Sequence, residues 1–304
     1  MSATPSGEQW ELQHGDQRAV VVQVGGGLRS YDVADRAVVD GYPADRKADG
    51  GRGQVLAPWP NRIADGRYTW AGSEQQLPLT EVANHNAIHG LVRWAEWSLL
   101  ERDPAGLRVA ARVWPQPGYP FALTVTATYQ LDDTGLTVRL EGRNDGDSPA
   151  PYGVGQHPYV RAGTDLVNEI VLTVPADEWL PCDERGLPVG TEPVDGTPYD
   201  FRAGRPVGET VLDTPYASLA AEADGRVVVR LAHPDDGTGV DVWGGPGTRY
   251  LQVFSGDTVA VDRRRQGLAV EPMSCPPDAF RSGVDVAGLE PGESHILEWG
   301  VHAW

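Results

Sequence analysis

His157 lies in the run Gly153-Val154-Gly155-Gln156-His157-Pro158-Tyr159, with two glycines upstream and a proline directly after it. The glycines leave room for close approach to the main chain, while Pro158 holds the next turn and biases His157 towards extended backbone. An imidazole mounted this way can give and take a proton near neutral pH. A buried histidine satisfied by backbone carbonyls would look the same in this stretch alone. Two carboxylates have a comparable setting: Glu271 in Ala269-Val270-Glu271-Pro272 and Asp213 in Val211-Leu212-Asp213-Thr214 each follow apolar residues directly. Such a carboxylate is either paired structurally or presented at the rim of a sheet, where it can act as acid or base. His89, followed by Gly90, and Arg62, which ends the stiff loop Ala57-Pro58-Trp59-Pro60-Asn61, complete the set.

Other chemistries lack their residues. Lys47 is the only lysine and sits between Asp45 and Asp49, a poor place for a Schiff base. No glycine-rich run ends in Lys-Ser or Lys-Thr, no Gly-x-Ser-x-Gly elbow is present, and the seven histidines show no His-x-His spacing. His85 and His89 are four apart, but Asn84 and Asn86 mark that region as loop, so no metal site is expected. Cys182 and Cys275 are too few for a disulfide scaffold and are expected to be free thiols. A formal charge of -18, from 43 acidic and 25 basic side chains, repels phosphate backbones and anionic lipid. Neither nucleic acid nor membrane is expected as a partner. Met1 to Asp16 is polar with no basic-then-apolar pattern, and no 18-residue apolar run occurs, which points to the cytoplasm.

The elements that must position these groups are strands. Phe121, Leu123, Val125, Ala127, Tyr129 and Leu131 alternate with Thr124, Thr126, Thr128 and Gln130, and Asp133-Thr134-Gly135 turns the chain into Leu136, Val138 and Leu140. That is an antiparallel hairpin. Further strands are predicted at 9–13, 17–24, 28–34, 66–70, 91–101, 107–114, 168–174, 216–221, 225–231, 248–254 and 293–301. No dozen residues keep helical apolar spacing, and 25 prolines with 37 glycines oppose helices. The expected fold is all-β, two large antiparallel sheets packed face to face, in a single domain over 1–304. The polar loops 40–53 and 181–210 are long enough to help form a site. Arg263-Arg264-Arg265 reads as a solvated turn.

In chain order, Asn61-Arg62-Ile63 with Gly66-Arg67-Tyr68, Asn86-Ala87-Ile88-His89-Gly90, His157-Pro158-Tyr159, Tyr199-Asp200-Phe201-Arg202, Leu212-Asp213, Gln252-Val253-Phe254-Ser255-Gly256, and Glu271 with Pro277-Asp278-Ala279-Phe280 resemble the aldose 1-epimerase (mutarotase) family. The resemblance covers nearly the whole chain and implies a galactose mutarotase-like β-sandwich. It also implies an isomerase that exchanges the α and β anomers of a free monosaccharide, with Glu271 as general base and His157 as general acid. Arg62, His89 and Asp213 would hold the sugar's hydroxyls and ring. His157 would then need to be protonated near neutral pH, with nearby carboxylates raising its pKa. The two catalytic groups would face each other across a cavity the size of one pyranose. No cofactor is implied.

Gly153, Gly155, Gln156 and Val160 depart from the Asn, Thr and Phe-Asn that many galactose-type members carry around this histidine, and Ala57-Pro58-Trp59-Pro60 replaces a glycine-arginine loop. These features resemble a bacterial branch linked to less common sugars, including sulfosugars. Trp59, Trp243, Phe254 and Tyr159 are candidates for stacking on a sugar face. A non-catalytic carbohydrate-binding sandwich would need the same platform without an acid–base pair. An epimerase for a phosphorylated or sulfonated sugar would want a positive pocket, to which Arg62, Arg93 and Arg202 could contribute. Both a monomer and a homodimer suit such a chain.

Overall fold

The computed structural model describes residues 4–304; the first three, part of the polar stretch Met1–Asp16, lie outside it. Two large sheets, of 12 and nine strands, and three two-stranded ribbons make up the β structure. The predicted hairpin forms with its predicted alternation: Leu123–Asp132 pairs with Gly135–Asn144 from Leu123↔Asn144 to Asp132↔Gly135. Val125, Ala127, Tyr129, Leu131, Val138 and Leu140 all point into the core. Leu140 stands between Ala127 and Leu297 on its two neighbouring strands and is fully buried. Leu140→Ala should therefore cost about 2–5 kcal/mol through lost burial and the cavity left behind. A denaturant titration that finds less than about 1 kcal/mol would show a core far looser than ordinary close packing.

The 12-stranded sheet carries both a core and a site because its strands alternate. Leu268–Met273 and Tyr250–Phe254 are adjacent and antiparallel, with Gln252 opposite Glu271 and Val253 opposite Val270. Val270, Val253 and Leu251 enter the core, so Glu271 and Gln252 face the other way. Asp213–Leu219 continues the sheet, with Asp213 opposite Phe254. On the far side of Leu268–Met273, the short strand Tyr159–Val160 brings in the histidine run. There the preceding residue acts as an anchor: buried Gln156 donates to Gly53 O at 3.0 Å and to the Tyr129 hydroxyl at 2.9 Å. It also accepts from Trp299 Nε1 at 3.0 Å, reaching the opposite sheet.

Several predicted strands differ in extent. Residues 91–97 of the predicted 91–101 strand form turns, leaving Ser98–Arg102, and 168–174 shrinks to Val171–Thr173 behind a short 3-10 turn. The predicted 216–221 strand starts earlier, at Asp213. The strand Gly239–Gly244 was not predicted at all, since Gly239, Asp241 and Gly244 hide its alternation.

Candidate active site

Loop 40–53, the strand ends and the segment 88–94 enclose a cavity of about 240 Å³ whose lining includes Gly51, Arg62, His89, Arg93, Asp213, Gln252, Phe254, His157 and Glu271. Its floor is the pair predicted from sequence. His157 Nε2 lies 3.3 Å from Glu271 Oε1, with both side chains nearly closed off from solvent. The two groups therefore stand side by side at the bottom of the cavity, not across it. His157 Nδ1 and Glu271 Oε2 are buried with no protein hydrogen-bond partner. Leaving two polar atoms unsatisfied at one spot costs stability, a pattern common where a site is built for chemistry.

The loop 49–54 holds the imidazole from several directions. Gly53 N donates to His157 O at 2.8 Å, and His157 N donates to Gln54 O at 3.1 Å. Gly51 has φ +77, and a Cβ there would stand 2.6 Å from His157 Cδ2. The Tyr159 ring stacks on the imidazole at 5.0 Å and 8°. By contrast, the space at Gly153 is filled by the chain itself, because a Cβ there would meet Cys275 Sγ at 2.4 Å.

Electrostatics at the floor reverse one expectation. Burial, reinforced by the Arg52 cation, pushes His157 down to about 3, so the imidazole is neutral in the free protein. Burial and then the Asp213 charge push Glu271 well above the usual carboxylate range. The neighbouring carboxylate was expected to raise the imidazole, but withdrawal from water outweighs it. His89, edge-on to His157 at 5.5 Å, is also driven well down by burial.

The walls form a hydrogen-bonded chain. Arg62 donates from Nε and Nη2 to Glu81 at 3.0 to 3.2 Å, and its Nη2 lies 3.8 Å from Asp213 Oδ2. Gln252 donates to Asp213 Oδ1 at 2.6 Å and accepts from Asn61 Nδ2 at 3.2 Å. Glu81 was not singled out from sequence, and Asn61 and Gln252 appeared only within the motifs of the family resemblance, without a role. Gln252 could have been given one, since it alternates with core residues beside Phe254 on a predicted strand.

The remaining candidates separate. Phe254 lines the cavity, as do Arg62, His89 and Asp213. Trp59 does not: it is buried and packs on Phe280 at 5.7 Å, because the loop that was expected to display it turns its indole inwards. Tyr159 backs the imidazole and is outside the lining. Trp243 is buried beneath Arg226. Arg202 is exposed and tied to Asp177, Asp195 and Asp200, away from the cavity. Loop 40–53 contributes to the lining, whereas 181–210 buttresses it, with Gly186 packed against the Arg62 guanidinium. Both cysteines are free thiols, and no helix among the described residues is long and apolar enough to cross a membrane.

Comparison with known proteins places the chain in a family and a fold. Residues 8–300 match the family described as aldose 1-epimerase. The uncharacterised protein YihR of Escherichia coli is 35% identical over 298 residues, covering 98% of this chain and 94% of its own. Human galactose mutarotase is 26% identical, with 96% of this chain and 93% of its own covered. In fold, an aldose epimerase homologue from C. elegans superposes with a TM-score of 0.86 at 18% identity, over 98% of both chains. Galactose 1-epimerase from Lactobacillus acidophilus does so at 0.80 and 21%, over 97% of this chain and 94% of that one.

Proposed function

This chain belongs to the aldose 1-epimerase family, and we propose that it interconverts the α and β anomers of a free aldose through Glu271 and His157. The observation that carries this is the 3.3 Å contact between His157 Nε2 and Glu271 Oε1 on the floor of a sugar-sized cavity. Ring opening takes a proton from the C1 hydroxyl and gives one to the ring oxygen. Those two oxygens share one carbon, so the groups that serve them must be neighbours.

In the opening step the Glu271 carboxylate takes the hydroxyl proton while the imidazolium of His157 protonates the ring oxygen. The bond from C1 to the ring oxygen breaks as the C1 carbonyl forms. The site is left with a carboxylic acid, a neutral imidazole and an open-chain aldehyde. After rotation about C1–C2, the former ring oxygen attacks C1 and returns its proton to His157, and Glu271 returns the other to O1. No net proton leaves the site.

Burial selects the carboxylic acid and neutral imidazole in the free protein. That state holds as many protons as the ion pair, so it is the arrangement that matches the open-chain aldehyde. Bound ring-closed sugar calls for one proton to move from Glu271 to His157 across their contact. Arg62, Asp213, His89 and Gln252 are placed to hold the hydroxyls, and Phe254 to cover an apolar sugar face. Freshly dissolved glucose, galactose and other aldoses, followed by polarimetry or NMR, test the proposal. Sugar binding without acceleration of any of them would make the protein a carbohydrate-binding module instead.

One observation favours a more specific substrate. Arg93 lines the cavity, and among the described residues its guanidinium has no ion pair or hydrogen bond. A cation there that lies over the Trp94 ring at 5.7 Å and not against an acid, in a chain of net charge -18, suits a phosphorylated or sulfonated aldose. Arg93→Met should then raise KM for such a sugar about 10–100-fold. The effect on neutral aldoses should be far smaller. An equal effect on both classes would leave Arg93 with no role in reading charge.

A further inference from the structure

Arg52 is 1% exposed and lies outside the cavity lining, yet its immediate neighbours meet the catalytic histidine. Its guanidinium carbon sits 4.0 Å over the centroid of the Tyr159 ring, which also stacks on His157. Below, Nη1 donates to Asp40 Oδ2 at 2.6 Å and to Asp40 O at 3.1 Å, and Nε donates to Asp49 Oδ1 at 3.1 Å. Arg263 shares the Asp40 carboxylate at 3.0 Å. Nη2 is buried without a partner. A sealed arginine that served only to pair with Asp40 would be expected to use its whole fork, since a buried charge is costly unless fully satisfied. Here the group instead rests over an aromatic ring.

We propose that Arg52 is a positioning residue for the reaction, acting on His157 through the Tyr159 ring. The inference rests on His157 exchanging a proton with the sugar, as proposed above. The stack of guanidinium, phenol and imidazole has little freedom to slide, because the Tyr159 hydroxyl donates to Gly50 O at 2.9 Å and Gly51 abuts the imidazole edge. The stack fixes the direction of Nε2 towards Glu271 and keeps a permanent cation on the ring that holds it. Around His157 the charged and titratable groups are Glu271 at its Nε2, His89 at its edge, Tyr159 on its face, Arg52 behind that, and the more distant Arg62 and Arg93. Of the three cations, Arg52 alone is outside the sugar's reach.

The test uses the full chain with Arg52→Met, Arg52→Lys and Tyr159→Leu, reading kcat, KM and the titration midpoint of the His157 imidazole by NMR. Arg52→Met should lower kcat about 10–100-fold with little change in KM, since small misplacement of a catalytic group carries that penalty. The midpoint should move upward as the cation is lost. Arg52→Lys keeps the charge and loses the flat fork, so the midpoint should stay near that of the wild type while kcat still falls. The losses from Arg52→Met and Tyr159→Leu should not add, because one acts through the other. A folded Arg52→Met protein with wild-type kcat and midpoint overturns the proposal, as does a raised KM at unchanged kcat. If Arg52→Met does not fold, Arg52→Lys decides: a kcat loss at constant KM supports the positioning role, and wild-type kinetics refute it. Should the protein accelerate no aldose, the midpoint remains the arbiter, and one unmoved by Arg52→Met ends the inference.

Discussion

Glu271→Gln lowers kcat for anomer exchange by about 10²–10⁴-fold, the usual worth of one general acid–base group and equivalent to roughly 3–5 kcal/mol of barrier. The amide keeps the size and one acceptor of the carboxylate but cannot take the C1 proton. KM should change little, because Arg62, Asp213 and Gln252, the groups proposed to hold the sugar, keep their places in the cavity wall. Folding should be unharmed or improved, since a buried ionisable group without a partner on Oε2 is removed. Polarimetry with excess variant, alongside thermal unfolding, separates these effects. Activity within about threefold of wild type would remove Glu271 from the proton path, because no general base can be dispensed with so cheaply.

His157→Asn should cost a similar factor in kcat, about 10²–10⁴-fold, by removing the proton donor to the ring oxygen. The substitution also changes how stability depends on pH. In an unfolded chain a glutamate and a histidine titrate near 4.5 and 6.5, whereas in the folded protein Glu271 is raised and His157 is lowered to about 3. Above pH 4.5, for as long as the raised Glu271 keeps its proton and the unfolded histidine keeps its own, folded and unfolded chains each hold one proton on this pair, so it adds no slope. Once the unfolded histidine releases its proton near 6.5, any proton still held by the raised Glu271 is one the unfolded chain lacks, and stability falls as pH rises. Below 4.5 the unfolded chain holds the extra proton, and stability falls as pH drops towards about 3. Without His157 only the raised glutamate remains. Stability of His157→Asn should therefore decline with rising pH from 4.5 onward, where the wild-type pair is flat. Parallel pH–stability curves for the two proteins across that window would contradict the shifts.

Much of this was legible in the amino-acid order. Period-two alternation at 121–140 found its hairpin and its buried face, and it pointed to a face-to-face sandwich because both sheets bury one side. Glu271 and His157 stood out as candidates by type and setting, and only the family resemblance paired them. Their protonation was not, since it depends on how much water the finished fold excludes and on a cation, Arg52, about 100 residues upstream of the histidine. Trp59 was misjudged because a loop composition says nothing about which way an indole turns; it met Phe280 from a distant segment. Glu81 escaped notice for a related reason. It matters only through the fork it forms with Arg62, 19 positions away.

The separation along the chain of the partners that brace the cavity has a consequence for how activity is acquired. Gln252 must find Asn61 across 191 positions, and Ala64 N bonds Asp278 across 214. Contacts this remote close late, after the local hairpins have paid their loop entropy. During recovery from denaturant, catalysis should thus return after the far-UV signal of the strands, making the rotation of a sugar solution a reporter of the last sheet to be stitched.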